Sequence, residues 1–217
     1  MWALEYSINL ITPKSSWFEN YTNLIMKKLK ELHFNCNIKD NHEDIELNSI
    51  AIYLSYHKIV PMHFIEKAHQ SIVVHASDLP KGKGFSPWVW QILEGNNCIP
   101  ICLFQMMERL DEGDIFQKKL LQLDGTELLE KIRDKLGNII VEMVLEHLTQ
   151  KQKPEGAKQI GKSTFYRKRS SSDSEINPNI SIGKQFNLLR IVDNTKYPAF
   201  FHYKNKKYIL RIEQAND

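Results

Sequence analysis

The 217-residue chain is short of the features that mark secreted, metal-built or membrane-bound proteins. It has three cysteines, Cys36, Cys98 and Cys102, with no C-x-x-C pair and no histidine at zinc-ligand spacing. Neither a disulfide framework nor a structural zinc site is expected, and no metal is called for. The opening residues, MWALEYSINLITPK, lack a basic leader and a small-residue cleavage site and so do not read as a signal peptide. No apolar run approaches the ~18 residues of a membrane span. A soluble, cytoplasmic protein is the expectation, in keeping with reduced thiols. Charge of one sign is lacking too: 29 Lys and Arg stand against 26 Asp and Glu, for a formal net charge of +3. That balance argues against a general nucleic-acid or membrane binder and leaves any anionic partner to be met locally. There is no internal repeat, no G-x-G-x-x-G dinucleotide loop, and Ser86 in GFSPW does not sit in the G-x-S-x-G elbow of a hydrolase.

What is present is an alternation of apolar strands and amphipathic helices. Residues 4–11 (LEYSINLI) predict a strand. The next stretch, TPKSSWFENYTNLIMKKLKEL, predicts a helix capped by Ser15 or Ser16, with Tyr21, Leu24, Ile25, Leu29 and Leu32 at helical spacing. FNCNIK, SIAIYLSY and SIVVHA predict three more strands, with a short helix in VPMHFIEKAHQ. PWVWQILEG predicts a helix ending at Gly95, and NCIPICLFQM a strand. From Thr126 to about Leu148 a long amphipathic helix is carried by Leu128, Leu129, Ile132, Leu136, Ile139, Ile140, Met143 and Val144. Strands without polar alternation require cover on both faces, so the expected fold is α/β: a Rossmann-like, mostly parallel sheet with helices on both faces. Residues 1–148 would form this domain. The polar stretch TQKQKPEGAKQIGKS marks 149–166 as a linker or a loop laid over the surface. Residues 167–217 would form a small C-terminal α+β segment in which AFFHY and KYILRI flank KNK as a β-hairpin. That segment is too small for a core of its own and should pack on the first domain.

His75 ends SIVVHA, directly before the turn residues Asp78, Pro80, Gly82 and Gly84. In open α/β sheets ligands collect at the carboxyl ends of strands, where loops and helix N-termini converge. Asp111 follows 36 residues later, after the strand at 98–105, which places it at the same edge. A histidine paired with a carboxylate holds one tautomer and suits proton transfer in acyl chemistry. By spacing alone, a structural strand-end histidine fits as well.

Ordered motifs add to this reading. HASDLP followed by a glycine, SPWVWQILEG, and then LDEGDI are similar to the folate-dependent formyltransferase family, which carries an H-P-S-L-L-P-like segment and, at similar spacing, a D-x-G-x-I-like segment. The likeness runs from about residue 4 to 212 and includes YRKRSSSDSEINP, NLLRIVDN and YPAFF. Within the family the chain most resembles small sugar-nucleotide N-formyltransferases of the pseudaminic acid type. The resemblance implies transfer of a formyl group from N10-formyltetrahydrofolate to the amine of a nucleotide-linked 4-amino-4,6-dideoxy sugar, UDP being the favoured carrier. His75 would accept a proton or meet the oxyanion, and Asp111 would orient it and help remove the amine proton through water. One position departs: where the family usually has asparagine, two residues before the histidine, this chain has Val73. Losing one oxyanion donor can cost on the order of 100-fold in rate. Ser71, Ser77 or a backbone N–H could replace it, or the chain is a weak or inactive relative.

By the same resemblance, main-chain groups of two loops would hold folate: Tyr56, His57, Lys58 and Ile59, and Met107, Glu108, Arg109 and Leu110. For an anionic amine substrate, the first helix start with Lys14, Ser15 and Ser16 is a natural phosphate site. Lys81 and Lys83 could reach a diphosphate from the turn after His75. Arg190 lies among apolar neighbours, where a charge needs a partner, and Tyr197 and Phe200 could stack on a base. Helix capping, solvated turn lysines and core packing are the competing readings. The run Arg167, Lys168, Arg169 reads as solvated surface. Glycinamide ribonucleotide and methionyl-tRNA are alternative acceptors. The tRNA enzyme carries a larger C-terminal barrel and the purine enzyme ends near its catalytic domain, so the tail favours the sugar. A degenerate nucleic-acid binder using residues 151–169 is a further reading, opposed by the interleaved Glu155 and Asp173. Neither nucleic acid nor membrane is the expected partner, and a homodimer is left open.

Overall fold

The computed structural model describes residues 1–215. In chain order its strands and helices are β1 (Ile8–Ile11), α1 (Glu19–Glu31), β2 (Cys36–Lys39), β3 (Ile50–Tyr53), α2 (Met62–Lys67), β4 (Gln70–His75), β5 (Lys83–Gly84), α3 (Pro87–Leu93), β6 (Cys98–Gln105), β7 (Ile115–Gln122), α4 (Leu129–Thr149), β8 (Phe165–Tyr166), α5 (Phe186–Leu189), β9 (Ala199–Tyr203) and β10 (Lys206–Leu210). Six strands form one sheet in the order β2-β1-β3-β4-β6-β7. The first four pair in parallel, whereas β6 runs antiparallel to both β4 and β7. The sheet is therefore the mostly parallel, Rossmann-like one expected, with an antiparallel margin, and the tail ends in the expected antiparallel hairpin.

Side chains alternate across the pleat, and both faces are covered. Ile8, Leu10, Ile50, Ile52 and Ile72 share one core with Ile25 and Leu29 of α1, Val89 and Ile92 of α3, and Ile132, Leu136, Met143 and Val144 of α4. Ile11, Ala51 and Tyr53 point to the opposite face, where they meet Val60, Ile65 of α2 and Val73. Each fully buried Leu or Ile contributes about 1.5–3 kcal/mol, so two-sided burial explains why these strands carry no polar alternation. Two residues after Val73, His75 shares its face and stands beside Cys102 of β6.

Three local expectations need correction. The first strand is Ile8–Ile11 only. Trp2–Glu5 form a 3-10 turn instead, pinned by Trp2 Nε1 donating to the His147 carbonyl at 3.0 Å. Neither Ser15 nor Ser16 caps α1, which starts at Glu19 after an uncapped Phe18. Ser15 takes a left-handed φ of 60° and its N–H donates to the Glu19 carboxylate, while the Ser16 hydroxyl accepts from the Phe18 N–H. Strand β7 was not expected at all. It is a half-exposed edge strand whose Lys119 reaches Glu142 and Glu146 of α4 at 2.9 and 2.7 Å, so polar residues occupy positions where an apolar face would be sought.

The tail docks through a few buried groups. Ile176, Leu189, Val192 and Ala199 form a small cluster, and Ile191 joins the main core. The hairpin turns through Lys204 and Asn205, both with positive φ (46° and 62°), as a two-residue loop between right-twisted strands requires. Arg190 is fully buried. Its guanidinium donates to Asn97 at 2.5 Å and Asn187 at 3.1 Å, with the Glu127 carboxylate 3.6 Å away. Glu127 also pairs with Lys135 and accepts from the Asp124 and Gly125 N–H groups. Arg190 thus has the partner that its apolar surroundings demanded, and that partner is internal: the residue fastens the tail and offers nothing to a ligand. Among the described residues no helix is long and apolar enough to cross a membrane.

Candidate functional site

After β4 the chain leaves the sheet at His75 and folds back through a loop that contains a cis Leu79–Pro80 peptide. This brings His75 Nε2 to 2.8 Å from the Gly82 carbonyl. A carbonyl only accepts, so Nε2 carries a proton here and a neutral ring keeps its lone pair on Nδ1. On the next connection, between β6 and β7, Asp111 sits with its Oδ2 3.7 Å from His75 Nε2, both side chains being about nine-tenths buried. The same oxygen accepts from the Gly84 N–H at 2.9 Å. Asp111 adopts a left-handed φ of 53°, a conformation that aspartate tolerates better than most residues. Gly113 is required by close approach: a Cβ there would lie 1.7 Å from the Gln105 carbonyl oxygen. The glycine in DEGDI lets the connection fold back, and the aspartate at its tip faces the histidine.

Val73 brings no polar atom to this site, and its side chain packs against apolar neighbours on the face of Tyr53 and Phe104. Of the two serines able to replace the absent amide, Ser71 donates to the Ile65 carbonyl at 3.2 Å. Ser77 is buried, and its hydroxyl has no partner among the described residues. An enclosed hydroxyl left unpaired costs about 1–3 kcal/mol. Lys83 departs from the sequence expectation: it is a buried residue of β5, 2 % exposed, with Nζ 3.0 Å from Glu112 and over the Phe165 ring. Lys81 is exposed in the same loop.

Strand β3 runs parallel to β4, so the connection after it leaves the sheet at the His75 end. Strand β6 is antiparallel, and its connection leaves beside Ser71, with the Met106 N–H donating to the Ser71 carbonyl. The expectation that Asp111 leaves the sheet at the same edge as His75 is corrected in this respect: the connection must fold back to bring Asp111 to His75. Tyr56 is half-buried, its hydroxyl 2.6 Å from His42 Nδ1 and 3.0 Å from Asn41. His57, Lys58 and Ile59 are exposed, as are Met107, Glu108, Arg109 and Leu110. Among the described residues, the main-chain N–H groups of these seven make no hydrogen bond. Three of these exposed side chains, Ile59, Met107 and Leu110, are apolar.

The residues expected to meet an anion fare unequally. At the start of α1 the electrostatics are already satisfied: Lys14 pairs with Asp40 at 2.5 Å, and the Ser15 N–H is taken by Glu19. Lys14, Ser15 and Ser16 therefore form no vacant phosphate cradle. Phe200 is a buried residue of β9 with Lys207 Nζ of the paired strand 3.6 Å from its ring centre, and cannot stack on a base; Tyr197 is exposed. The run 167–169 is not simply solvated either. Arg167 forks onto Asp173 and lies 4.7 Å from the Trp90 ring, and Arg169 is half-buried with burial lowering its pKa.

Sequence reasoning missed two residues of the supposed linker. Gln159 donates from Nε2 to the Asp111 and Gly113 carbonyls, 2.9 Å each, and the Thr164 hydroxyl accepts from the Gly82 N–H at 2.8 Å. Nothing in a polar, Gly- and Pro-containing stretch signals such contacts.

The sequence pattern of the formyl transferase family matches residues 27–148, more than half of the chain and the part that holds His75 and Asp111. The chain belongs to the formyl transferase family. Among curated relatives of this family member, a methionyl-tRNA formyltransferase of Thermodesulfovibrio yellowstonii is 28% identical over 191 residues, 87% of this chain and 56% of that protein. The chain thus spans little more than half the length of that relative. Among solved structures, a methionyl-tRNA formyltransferase from Clostridium thermocellum superposes with a TM-score of 0.82 at 27% identity, covering 97% of this chain and 94% of that one. A 4-N formyltransferase from Francisella tularensis shares the fold, with a TM-score of 0.70 at 15% identity over 99% of this chain and 100% of that one.

Proposed function

We propose that the protein transfers a formyl group from N10-formyltetrahydrofolate to a primary amine on a phosphate-bearing substrate, a nucleotide-linked 4-amino-4,6-dideoxy sugar with UDP as the favoured carrier. The observation that carries the reading is the buried His75–Asp111 pair, together with the open main-chain N–H groups of residues 57–59 and 107–110. N10-formyltetrahydrofolate, when bound, supplies the formyl carbon. Residues 56–59 and 107–110 would hold its ring system through main-chain groups. The imidazole of His75 would take on its free Nδ1 the proton that the attacking amine loses and pass it to N10 as the formyl C–N10 bond breaks and tetrahydrofolate leaves, with Asp111, 3.7 Å from Nε2, orienting the ring. Ser77 is the side-chain donor left to meet the oxyanion where Val73 offers none, and Ser77→Ala should lower turnover by about 10- to 100-fold.

For the acceptor, charge is the guide. Residues 149–217 hold fourteen Lys and Arg against six Asp and Glu, and Lys81 stands exposed after His75. A diphosphate is one partner for such a surface. Methionyl-tRNA is the second reading, favoured by the 28% identity to a methionyl-tRNA formyltransferase. Mass spectrometry of UDP- and dTDP-linked 4-amino sugars, incubated with the protein and N10-formyltetrahydrofolate and with each component omitted in turn, tests the proposal. A gain of one formyl group only in the complete mixture supports it. Formylation of methionyl-tRNA and of no sugar amine would transfer the assignment to the second reading.

A further inference from the structure

The stretch from Gly156 to Tyr166 crosses from one loop of the site to the other and bonds to both. At its first end, Ala157 pairs antiparallel with Ile115, their N–H groups and carbonyls exchanging bonds of 2.8 Å. Gly156 packs so closely there that a Cβ would lie 2.6 Å from that of Asp114. Two residues on, the Gln159 amide bridges the carbonyls of Asp111 and Gly113, fixing the Asp111–Glu112 and Gly113–Asp114 peptide groups and with them the left-handed backbone that aims Asp111 at His75.

The chain then crosses through exposed Ile160 and through Gly161 at a φ of 129°. At its second end, Thr164 accepts the Gly82 N–H on its hydroxyl and the Lys83 N–H on its carbonyl, at 2.8 and 2.9 Å. Residues 165–166 continue as β8 alongside β5, and the Phe85 N–H donates to the Tyr166 carbonyl at 3.1 Å. Gly82 thereby has its N–H held by Thr164 and its carbonyl on His75 Nε2, while Gly84, held in β5, gives its N–H to Asp111.

We infer that residues 156–166 are a positioning strap that sets the distance and alignment of His75 and Asp111, with Gln159 the positioning residue for the aspartate and Thr164 for the histidine. The inference rests on the formyl-transfer reading for its kinetic consequence, though not for its geometric one. A packing role alone would not place one side-chain amide on the carbonyls of Asp111 and Gly113, nor a hydroxyl on the N–H of the residue whose carbonyl meets the imidazole. Because misplacement of a reacting group by about 1 Å can cost on the order of 100-fold, loosening either contact should act on turnover more than on binding.

The test uses the full chain and the variants Gln159→Ala, Gln159→Glu, Thr164→Val and Thr164→Ser. Thr164→Val keeps the branched shape and removes the acceptor; Thr164→Ser restores it. Gln159→Glu replaces two N–H donors by a carboxylate that cannot donate to carbonyls. For the three variants that lose the contact, kcat should fall by about 10- to 100-fold with KM for both substrates within about threefold. Their pH–rate profiles should be displaced from that of the native chain, whereas Thr164→Ser should stay near native. In parallel, nitrogen NMR of the His75 ring should report a proton on Nε2 in the native chain, with the titration midpoint and tautomer population shifted in Thr164→Val but not in Thr164→Ser. Unchanged kcat, or a loss that tracks Tm while the pH profile and the His75 titration stay put, would overturn the inference. If the native chain formylates no amine, the functional reading fails separately, and the His75 titration alone still decides the strap.

Discussion

Residues 1–148 and 149–217 differ in charge and in how they hold together. The first region carries fifteen Lys and Arg against twenty Asp and Glu, and the second fourteen against six, so a net charge of +3 conceals an acidic part and a basic one. The first has a large two-sided core. The second has one small cluster, one buried arginine and a strap of hydrogen bonds. The difference teaches that the acidic region builds the His75–Asp111 pair, while the basic region is attached by a small apolar cluster and by polar contacts and carries the excess of positive charge. Whole-chain composition hid this division.

The comparison can be broken at four points. The largest effect should come from the first region: His75→Asn should lower kcat/KM for formyl transfer by about 100- to 10,000-fold with Tm nearly unchanged, and near-native turnover would remove the histidine from the mechanism. Next is the joint between the regions. Arg190→Met should destabilise the fold by about 3 kcal/mol in urea titrations, since it takes the guanidinium away from a buried carboxylate, and Glu127→Gln in the same chain should restore part of that. A null effect would mean that the tail is held by its apolar cluster alone.

A somewhat smaller effect is expected from His147, buried in α4 against Trp2 and Phe116, where burial lowers its pKa to about 4. The unfolded chain binds this proton near pH 6.5 and the folded chain only near pH 4, so between these values the unfolded state carries more protons. The stability contribution is therefore complete above about pH 6.5 and falls as pH drops towards 4, by roughly 2–3 kcal/mol. His147→Leu should flatten that slope in denaturation measured across the window; an unaltered slope would assign the acid sensitivity to other groups. The smallest effect tests the tail's charge. Lys158, Lys162 and Lys168 are exposed, and changing all three to Gln should raise KM for an anionic acceptor several-fold and weaken its salt dependence while leaving Tm unchanged. Equal KM at low salt would show that the charge of the tail serves something else.

Much of this organisation could be read from the sequence, for physical reasons. Apolar strands at 50–53 and 70–75 and the 3.6-residue rhythm of α4 advertise burial directly. The antiparallel strand β7 could not be read, because its lysines find carboxylates on α4 and mask the pleat. The α1 start was misplaced because Glu19, rather than a serine, satisfies the chain at Ser15. At the site, the ordered His75 and Asp111 motifs carried the signal. Arg190 announced by its apolar neighbours that it needed a partner, yet nothing in the chain pointed to Glu127, 63 positions away. The strap was least legible of all, since Gln159 and Thr164 act on main-chain groups and leave no periodic or apolar trace.

The most direct measurement is a competition assay with N10-formyltetrahydrofolate carrying an isotopic label in the formyl group. UDP-linked 4-amino sugar and methionyl-tRNA are offered together, and the label is followed into each by mass spectrometry for the native chain and for His75→Asn. The account predicts label on the sugar amine with the native chain and its near-complete loss in the variant. Label on neither acceptor, or equal labelling by the two proteins, would contradict it.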